Sequence, residues 1–304
     1  LISTTFEIRS SPLIISWRDL SDLIDSLNVN GFDGLKGINL AKESTSPYGT
    51  IVALSESPLD ENLIVIGTDD GLIQITENSG KTWRKIDNIP DAPAQSYVNS
   101  VYLSQHDVNV IYVAFNHHKY GDFKPYIFKS SDKGNSWVSI SSNLPIRGSV
   151  YSIEEDHVNS NLIFCGTEFG VFFSPDSGGN WKELANGLPT IAVRDIAIQR
   201  RENDLVLGTF GRGFYVLDDY SVLRSIENSE KDPASQIFDV RDALMWEKAN
   251  PLGLPGKAFQ GDNFYLAENL DPVAIFTYNF DEKFESLKSK RQKAEKKLIK
   301  ESKD

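Results

Sequence analysis

One cysteine, one methionine and four histidines in 304 residues leave little material for thiol or multi-histidine chemistry. The lone Cys165 excludes an intramolecular disulfide and a zinc site built on several thiolates. It leaves the compartment open, because a large all-β domain can do without disulfides. Positive charge is scarce as well: 31 Lys and Arg face 43 Asp and Glu, a formal charge of -12. A protein that tracks phosphates needs clustered Lys and Arg, so the balance argues against a nucleic-acid partner. Long apolar runs are missing, and the longest, such as residues 13–15 and 273–276, fall far short of the about 20 residues that span a bilayer. What is present is ordinary globular composition, 40% hydrophobic and 11% aromatic with 21 Gly and 13 Pro, in a chain long enough to bury a large core. The charge is uneven: residues 281–304 carry nine basic against six acidic side chains, which leaves 22 against 37 in residues 1–280. The chain starts on Leu1 and stops inside a charged helical pattern, so it reads as a piece of a longer polypeptide.

One phrase occurs three times. Residues 75–83 (ITENSGKTW) align with 129–137 (KSSDKGNSW) and 173–181 (FSPDSGGNW), the Trp positions lying 54 and 44 residues apart. A second phrase precedes it at Gly67-Thr68, Gly166-Thr167 and, in a fourth unit, Gly208-Thr209. Repeats near 45 residues with four short strands each are the length of a propeller blade. In the first unit the strands are expected at 50–55, 63–68, 72–77 and 82–86, and later units begin near Val98, Val150 and Val193. The last unit lacks the phrase with Trp and so shows no fourth strand of its own. A worn copy of the phrase at 9–17 suggests that residues 4–20 supply strands to a neighbouring blade.

The phrase itself is turn chemistry. Asp132 and Asp176, with Asn78 in the first copy, can accept hydrogen bonds from backbone N–H groups where the chain reverses. Gly80, Gly134 and Gly178 permit positive φ there. Trp83, Trp137 and Trp181 are expected as equivalent apolar anchors of their blades. On these residues the chain resembles the Asp-box, or BNR-repeat, family: sialidases, xyloglucanases, the sortilin-type receptor domain and photosystem assembly factors. The runs 67–72, 122–129, 166–171 and 211–219 resemble more narrowly the large exported bacterial proteins labelled "glycosyl hydrolase, BNR repeat" or sortilin N-terminal domain. The resemblance implies an all-β propeller, here a partial ring of about four blades, and an extracellular or periplasmic location.

In a propeller the connections between the second and third strands of each blade, the B–C turns, gather on one face near the axis. That places Asp69 and Asp70, the long loop 116–125 with His117, His118, Tyr120 and Asp122, then Glu168 with Phe169, and Arg212 on one surface. Long insertions on a rigid scaffold are where binding residues reside. Three readings of the surface stay open. It binds a peptide, protein or glycan through polar contacts and stacking. Alternatively Asp70 and Glu168 act as acid and base of a glycoside hydrolase on extracellular polysaccharide, or they only cap the tight turns before Gly71 and Gly170. Sialidase chemistry calls for three converging Arg and a Tyr–Glu pair, and Arg147, Arg194 and Arg212 show no such pattern in the sequence. A metal on His117, His118 and Asp122 is not expected, since neighbouring side chains of an extended chain point opposite ways. No cofactor is expected. Cys165 is expected as a buried small hydrophobe, and His106 and His157 as exposed residues of A–B turns.

The segments divide into 1–48 (end of a preceding blade and a connection), 49–224 (blades), 225–270 (linker) and 271–304 (a strand at 273–280 and an amphipathic helix at 281–304 whose apolar side holds Phe284, Leu287, Ala294 and Leu298). Missing parts of the same polypeptide are therefore among the expected partners.

Overall fold

A computed structural model describes residues 9–10, 49–86, 88–226, 236–243, 245–247, 273–279 and 286–301. Residues 49–226, together with Arg9–Ser10, form four antiparallel four-stranded sheets, the blades of a β-propeller. Blade I holds β2 (Ile51–Glu56), β3 (Ile64–Thr68), β4 (Ile73–Thr76) and β5 (Arg84–Ile86). Blade II holds β6 (Tyr97–Leu103), β7 (Ile111–His117), β8 (Asp122–Ser130) and β9 (Val138–Ser139). Blade III holds β10 (Val150–Glu155), β11 (Ile163–Thr167), β12 (Gly170–Ser174) and β13 (Lys182–Glu183). Blade IV runs β14 (Val193–Gln199), β15 (Asp204–Thr209) and β16 (Phe214–Leu217), and its outer strand is β1 (Arg9–Ser10), with Arg9 opposite Val216 and Ser10 opposite Tyr215. The missing fourth strand of the last unit thus comes from the N-terminal segment, which supplies one strand to that sheet.

Alternation along the middle strands makes the core. On β7, Ile111, Val113 and Phe115 join Leu63, Val65, Ile73 and Ile75 of blade I, while Tyr112 and Ala114 join Val150, Ile153, Ile163 and Cys165 of blade III. Successive residues of a strand face opposite sides, so a blade between two others is apolar on both. The recurrent Gly-Thr has a packing cause. A Cβ on Gly67 would lie 2.3 Å from Val98 Cγ1, and one on Gly166 would lie 2.6 Å from the Val193 carbonyl oxygen. At both positions the innermost strand of the next blade passes too close for any side chain. The following Thr bridges the B–C turn: the Thr167 hydroxyl donates to the Gly170 carbonyl at 3.0 Å and Thr209 to that of Gly213 at 2.6 Å.

The repeated phrase forms the turn between the third and fourth strands three times over. In blade II the Ser130 hydroxyl donates to Asp132 Oδ1 and accepts from the Gly134 N–H, and Asp132 accepts from the backbone and hydroxyl of Ser136. Blade III repeats this with Ser174, Asp176, Gly178 and Asn180, and blade I with Thr76, Asn78, Gly80 and Thr82. These hydrogen bonds hold the Asp132 carboxyl down at about 2. In each copy the residue before the Gly also takes positive φ, Ser79, Lys133 and Ser177.

The three Trp occupy one position in the turn yet differ in surroundings. Trp137 and Trp181 are buried at the joint with the preceding blade, in the clusters shared by blades I and II and by blades II and III respectively. Trp83 is half-buried, blade I having no blade before it among the described residues. His157 is half-buried rather than exposed, its Nδ1 lying 3.2 Å from the Tyr220 hydroxyl, whereas His106 is exposed as expected.

Glu154 on β10 is a half-buried carboxyl with the Tyr102 hydroxyl at 3.5 Å. Burial pushes it up to about 8, Arg200 offsetting part of the rise and Asp195 adding to it. A folded-state value above the unfolded one means that the folded protein holds the proton more tightly. This group's contribution is therefore most favourable below pH 4.5 and is lost as pH rises from there toward 8. Glu154→Gln is expected to stabilise the protein by about 1–2 kcal/mol at pH 8 and to flatten stability across that window. Urea unfolding from pH 4.5 to 8 checks this, and an unchanged slope refutes it.

The remaining described residues form a separate unit. There a two-residue strand, β17 (Gln236–Ile237), pairs with β18 (Tyr278–Asn279), so pairing reaches into the segment read as linker, and the strand expected at 273–280 is confined to its end. The helix runs Leu287–Glu301, and its Leu287 and Leu298 are exposed. Phe284 lies outside the described residues. No described helix is long and apolar enough to cross a membrane.

Candidate functional site

Each innermost strand carries a register irregularity at the same place: between Ile51 and Ala53, Val98 and Ser100, Val150 and Ser152, and Val193 and Asp195. A bulge turns one side chain out of the pleat, and the four residues so placed are Val52, Asn99, Tyr151 and Arg194. All four stand next to the B–C turns. Asn99 bonds the Val150 carbonyl at 2.6 Å across to blade III. Tyr151 and Arg194, from blades III and IV, come together: the guanidinium carbon sits 3.7 Å from the phenol ring centroid.

Around this stack the B–C turns contribute Glu168, His118 and Phe210, and the start of β8 contributes Phe123. The Tyr151 hydroxyl donates to Glu168 Oε2, and the Arg194 Nη2 lies 4.0 Å from the same oxygen. Burial first, then the Glu168 hydrogen bond and charge, push the Tyr151 phenol up to about 12, so it stays protonated and donates. His118 Nε2 lies 2.6 Å from the Ser149 hydroxyl, and its ring centroid is 5.0 Å from Phe123 and 6.3 Å from Tyr151. Burial lowers the His118 pKa, and Arg194 lowers it further while Glu168 opposes them. The Phe210 ring stands 5.3 Å from the Arg194 guanidinium on its other flank and is 69% exposed. Phe123 and Phe169 are also exposed. Phe123, His118, Tyr151, Arg194 and Phe210 thus form one continuous strip across blades II, III and IV.

The expected residues divide between this strip and its surroundings. Asp69 is engaged in the fold, accepting from the Gly49 and Thr50 N–H groups at 2.8 and 3.0 Å. Asp70 accepts the Thr68 hydroxyl within its own turn in blade I, with blade II between it and Glu168. His117 turns to the start of its own blade, with Nδ1 3.0 Å from the hydroxyl of Ser96 just before β6, and its ring stacks on Tyr120 at 4.3 Å. His118 turns to blade III, so the paired imidazoles point apart. Tyr120 donates to Gln95 Oε1 at 2.6 Å, and Asp122 accepts from Tyr126, a hydrogen bond that lowers its pKa. Arg212 is exposed at the tip of the blade IV turn between Gly211 and Gly213, both at positive φ. Sequence reasoning passed over Tyr151, and it saw no pattern in Arg194. Their one signal was positional: each follows the β-branched residue that opens an innermost strand.

No protein-family model matches the chain, and no curated protein matches it by sequence. Among solved structures it is similar to an ancestral GH74 enzyme (22% identity, TM-score 0.44, over 53% of this chain and 22% of that one). It is also similar to YCF48 bound to D1 peptide (21%, 0.42, over 55% and 50%), and to the GH74 xyloglucanase from Xanthomonas campestris (14%, 0.43, over 52% and 26%). The chain spans about a fifth to a half of the length of these proteins. The blades define its class: it is a β-propeller protein.

Proposed function

We propose that the chain belongs to an Asp-box propeller protein that works outside the cytoplasm, and that it binds a peptide, protein or glycan on its B–C face rather than transforming one. The observation that carries this reading is the strip from Phe123 to Phe210, in which three blades hold an arginine and a histidine in fixed positions between exposed rings. Strands hold Tyr151, Arg194 and Phe123, and the turns add His118 and Phe210, so the surface is carried on a rigid scaffold. The turn hydrogen bonds of the three repeats and the resemblance of their sequence support the family and its compartment.

The test presents the purified protein to immobilised peptide and glycan arrays, beside the double variant Phe169→Ser/Phe210→Ser. Because both rings are exposed, the variant is expected to unfold at the same temperature and to lose the spots the wild type retains. An unchanged pattern would remove the B–C face as the site. A tyrosine hydrogen-bonded to a glutamate is also the kind of pair that can attack an anomeric carbon. Incubation with xyloglucan and with a 4-methylumbelliferyl sialoside is therefore included. Release of reducing ends or of the fluorophore, abolished by Glu168→Gln, would replace binding by hydrolysis.

A further inference from the structure

We infer that the ligand of this strip is a peptide segment in which an acidic side chain is flanked by apolar ones, and that Arg194 receives its carboxylate. The inference rests on the binding role proposed above for the B–C face.

Arg194 is placed as an anion receptor with donors to spare. Its guanidinium carbon lies over the Tyr151 ring, 3.7 Å from the centroid, and 5.3 Å from the centroid of Phe210. Glu168 stands at 4.0 Å, the outer limit of an ion pair, and that carboxylate oxygen already accepts the Tyr151 hydroxyl. Among the described residues its polar neighbours are the Tyr151 hydroxyl and the Glu168 carboxylate, and its side chain is 44% exposed. Glu168 and Tyr151 therefore orient the guanidinium and leave most of its five donors for a ligand. A planar, stacked and weakly hydrated cation of this kind favours a carboxylate over a neutral partner. Two further arginines are exposed nearby, Arg212 on the blade IV turn and Arg147 on the connection leading into blade III. This positive group stands out on a chain of net charge -12.

The flanks select the rest of the ligand. Ile146 is exposed two residues before Gly148, whose N–H donates to the Phe123 carbonyl at 3.0 Å, and a Cβ on Gly148 would be 4.0 Å from Phe169. Phe123 stands beside His118 with Phe169 next to Gly148, Ile146 is exposed on the same connection as Gly148, and Phe210 lies beyond Arg194. None of these apolar side chains offers a hydrogen bond to a sugar hydroxyl. The polar groups between them, His118 with Ser149 and Tyr151 with Glu168, are engaged with each other. A glycan would find rings but few partners for its hydroxyls, whereas a peptide brings apolar side chains and one charge. The ring-to-ring spacings give a strip on the order of 20 Å, about six residues of extended chain.

The experiment measures affinity, by fluorescence anisotropy, for synthetic six-residue peptides with one central Asp between Phe and Leu, and for matched peptides with Asn in its place. The wild type is expected to favour Asp over Asn at least tenfold, with the preference shrinking as salt rises from 50 to 500 mM. Arg194→Ala should remove the preference and Arg194→Lys should restore only part of it, since lysine keeps the charge but not the stacked fork. Asp and Asn peptides that bind equally, or a preference that survives Arg194→Ala, would overturn the carboxylate assignment. If binding in that case still falls with Phe169→Ser/Phe210→Ser, the face itself stands. Retention of acidic glycans with no peptide of either series bound overturns the peptide class and keeps the arginine. Binding that ignores all of these variants overturns both the inference and the reading beneath it.

Discussion

Arg224→Ala is expected to lower the unfolding free energy by about 3–5 kcal/mol, the cost of leaving a buried charge without its partner. Arg224 lies in the 3-10 turn Tyr220–Ser225 that follows blade IV, and it grips Asp156 of blade III with both arms of its guanidinium, at 2.8 and 2.7 Å. Asp156 is fully buried. Its carboxylate also accepts the Tyr220 hydroxyl at 2.5 Å and two backbone N–H groups, from Val158 and Asn159. Burial alone would raise the Asp156 carboxyl, but the Arg224 and Tyr220 hydrogen bonds more than offset it and leave the group below its ordinary value. The sign follows: this contribution is present above pH 3.8 and is lost as pH falls through the depressed value. Thermal and urea unfolding of Arg224→Ala, with Asp156→Asn beside it, measures the effect. A loss below about 1 kcal/mol would mean that the pair is solvated and does not clamp blade III to the turn.

Trp181→Ala is expected to cost about 3–5 kcal/mol, and Trp83→Ala much less, about 1 kcal/mol. Trp181 is 4% exposed, packs among Ile140, Leu144 and Ile163, and donates its indole N–H to the Ile140 carbonyl at 2.8 Å. Its removal empties a joint between blades II and III and orphans that carbonyl. The Asn143 side chain reinforces the same joint through the Trp181 backbone N–H and carbonyl. Trp137 is also buried, but among the described residues its indole N–H has no partner, so its loss takes packing alone. Urea midpoints of the three alanine variants rank the sites, and equal costs at all three would show that the indoles are interchangeable after all.

Much of this architecture was readable because its causes are local. The Ser/Thr-x-Asp/Asn-x-Gly phrase dictates one turn wherever it falls, since hydroxyl, carboxylate and left-handed Gly are all within five residues. The strand at Arg9–Ser10 was harder, because two residues carry no periodicity and its partner lies in blade IV. The candidate site was half legible. His118, Glu168 and Phe169 sit in turns, where polar and aromatic residues attract notice. Tyr151 and Arg194 sit inside strands and read as ordinary strand residues until the irregularity in each innermost strand turns them outward. Asp70 and Glu168 looked alike in the sequence, yet one is absorbed by its own turn and the other faces an arginine.

The outer strand of blade IV has a kinetic consequence. Arg9 and Val216 are roughly two hundred residues apart along the chain, and a pairing over that span carries the largest loop-closure entropy of the described strand pairs. Blades I to III each join strands that are neighbours in sequence and can form as they leave the ribosome. Blade IV has to wait for an early stretch of chain to return, which makes it the last sheet to be completed and the first whose open edge a chaperone would meet.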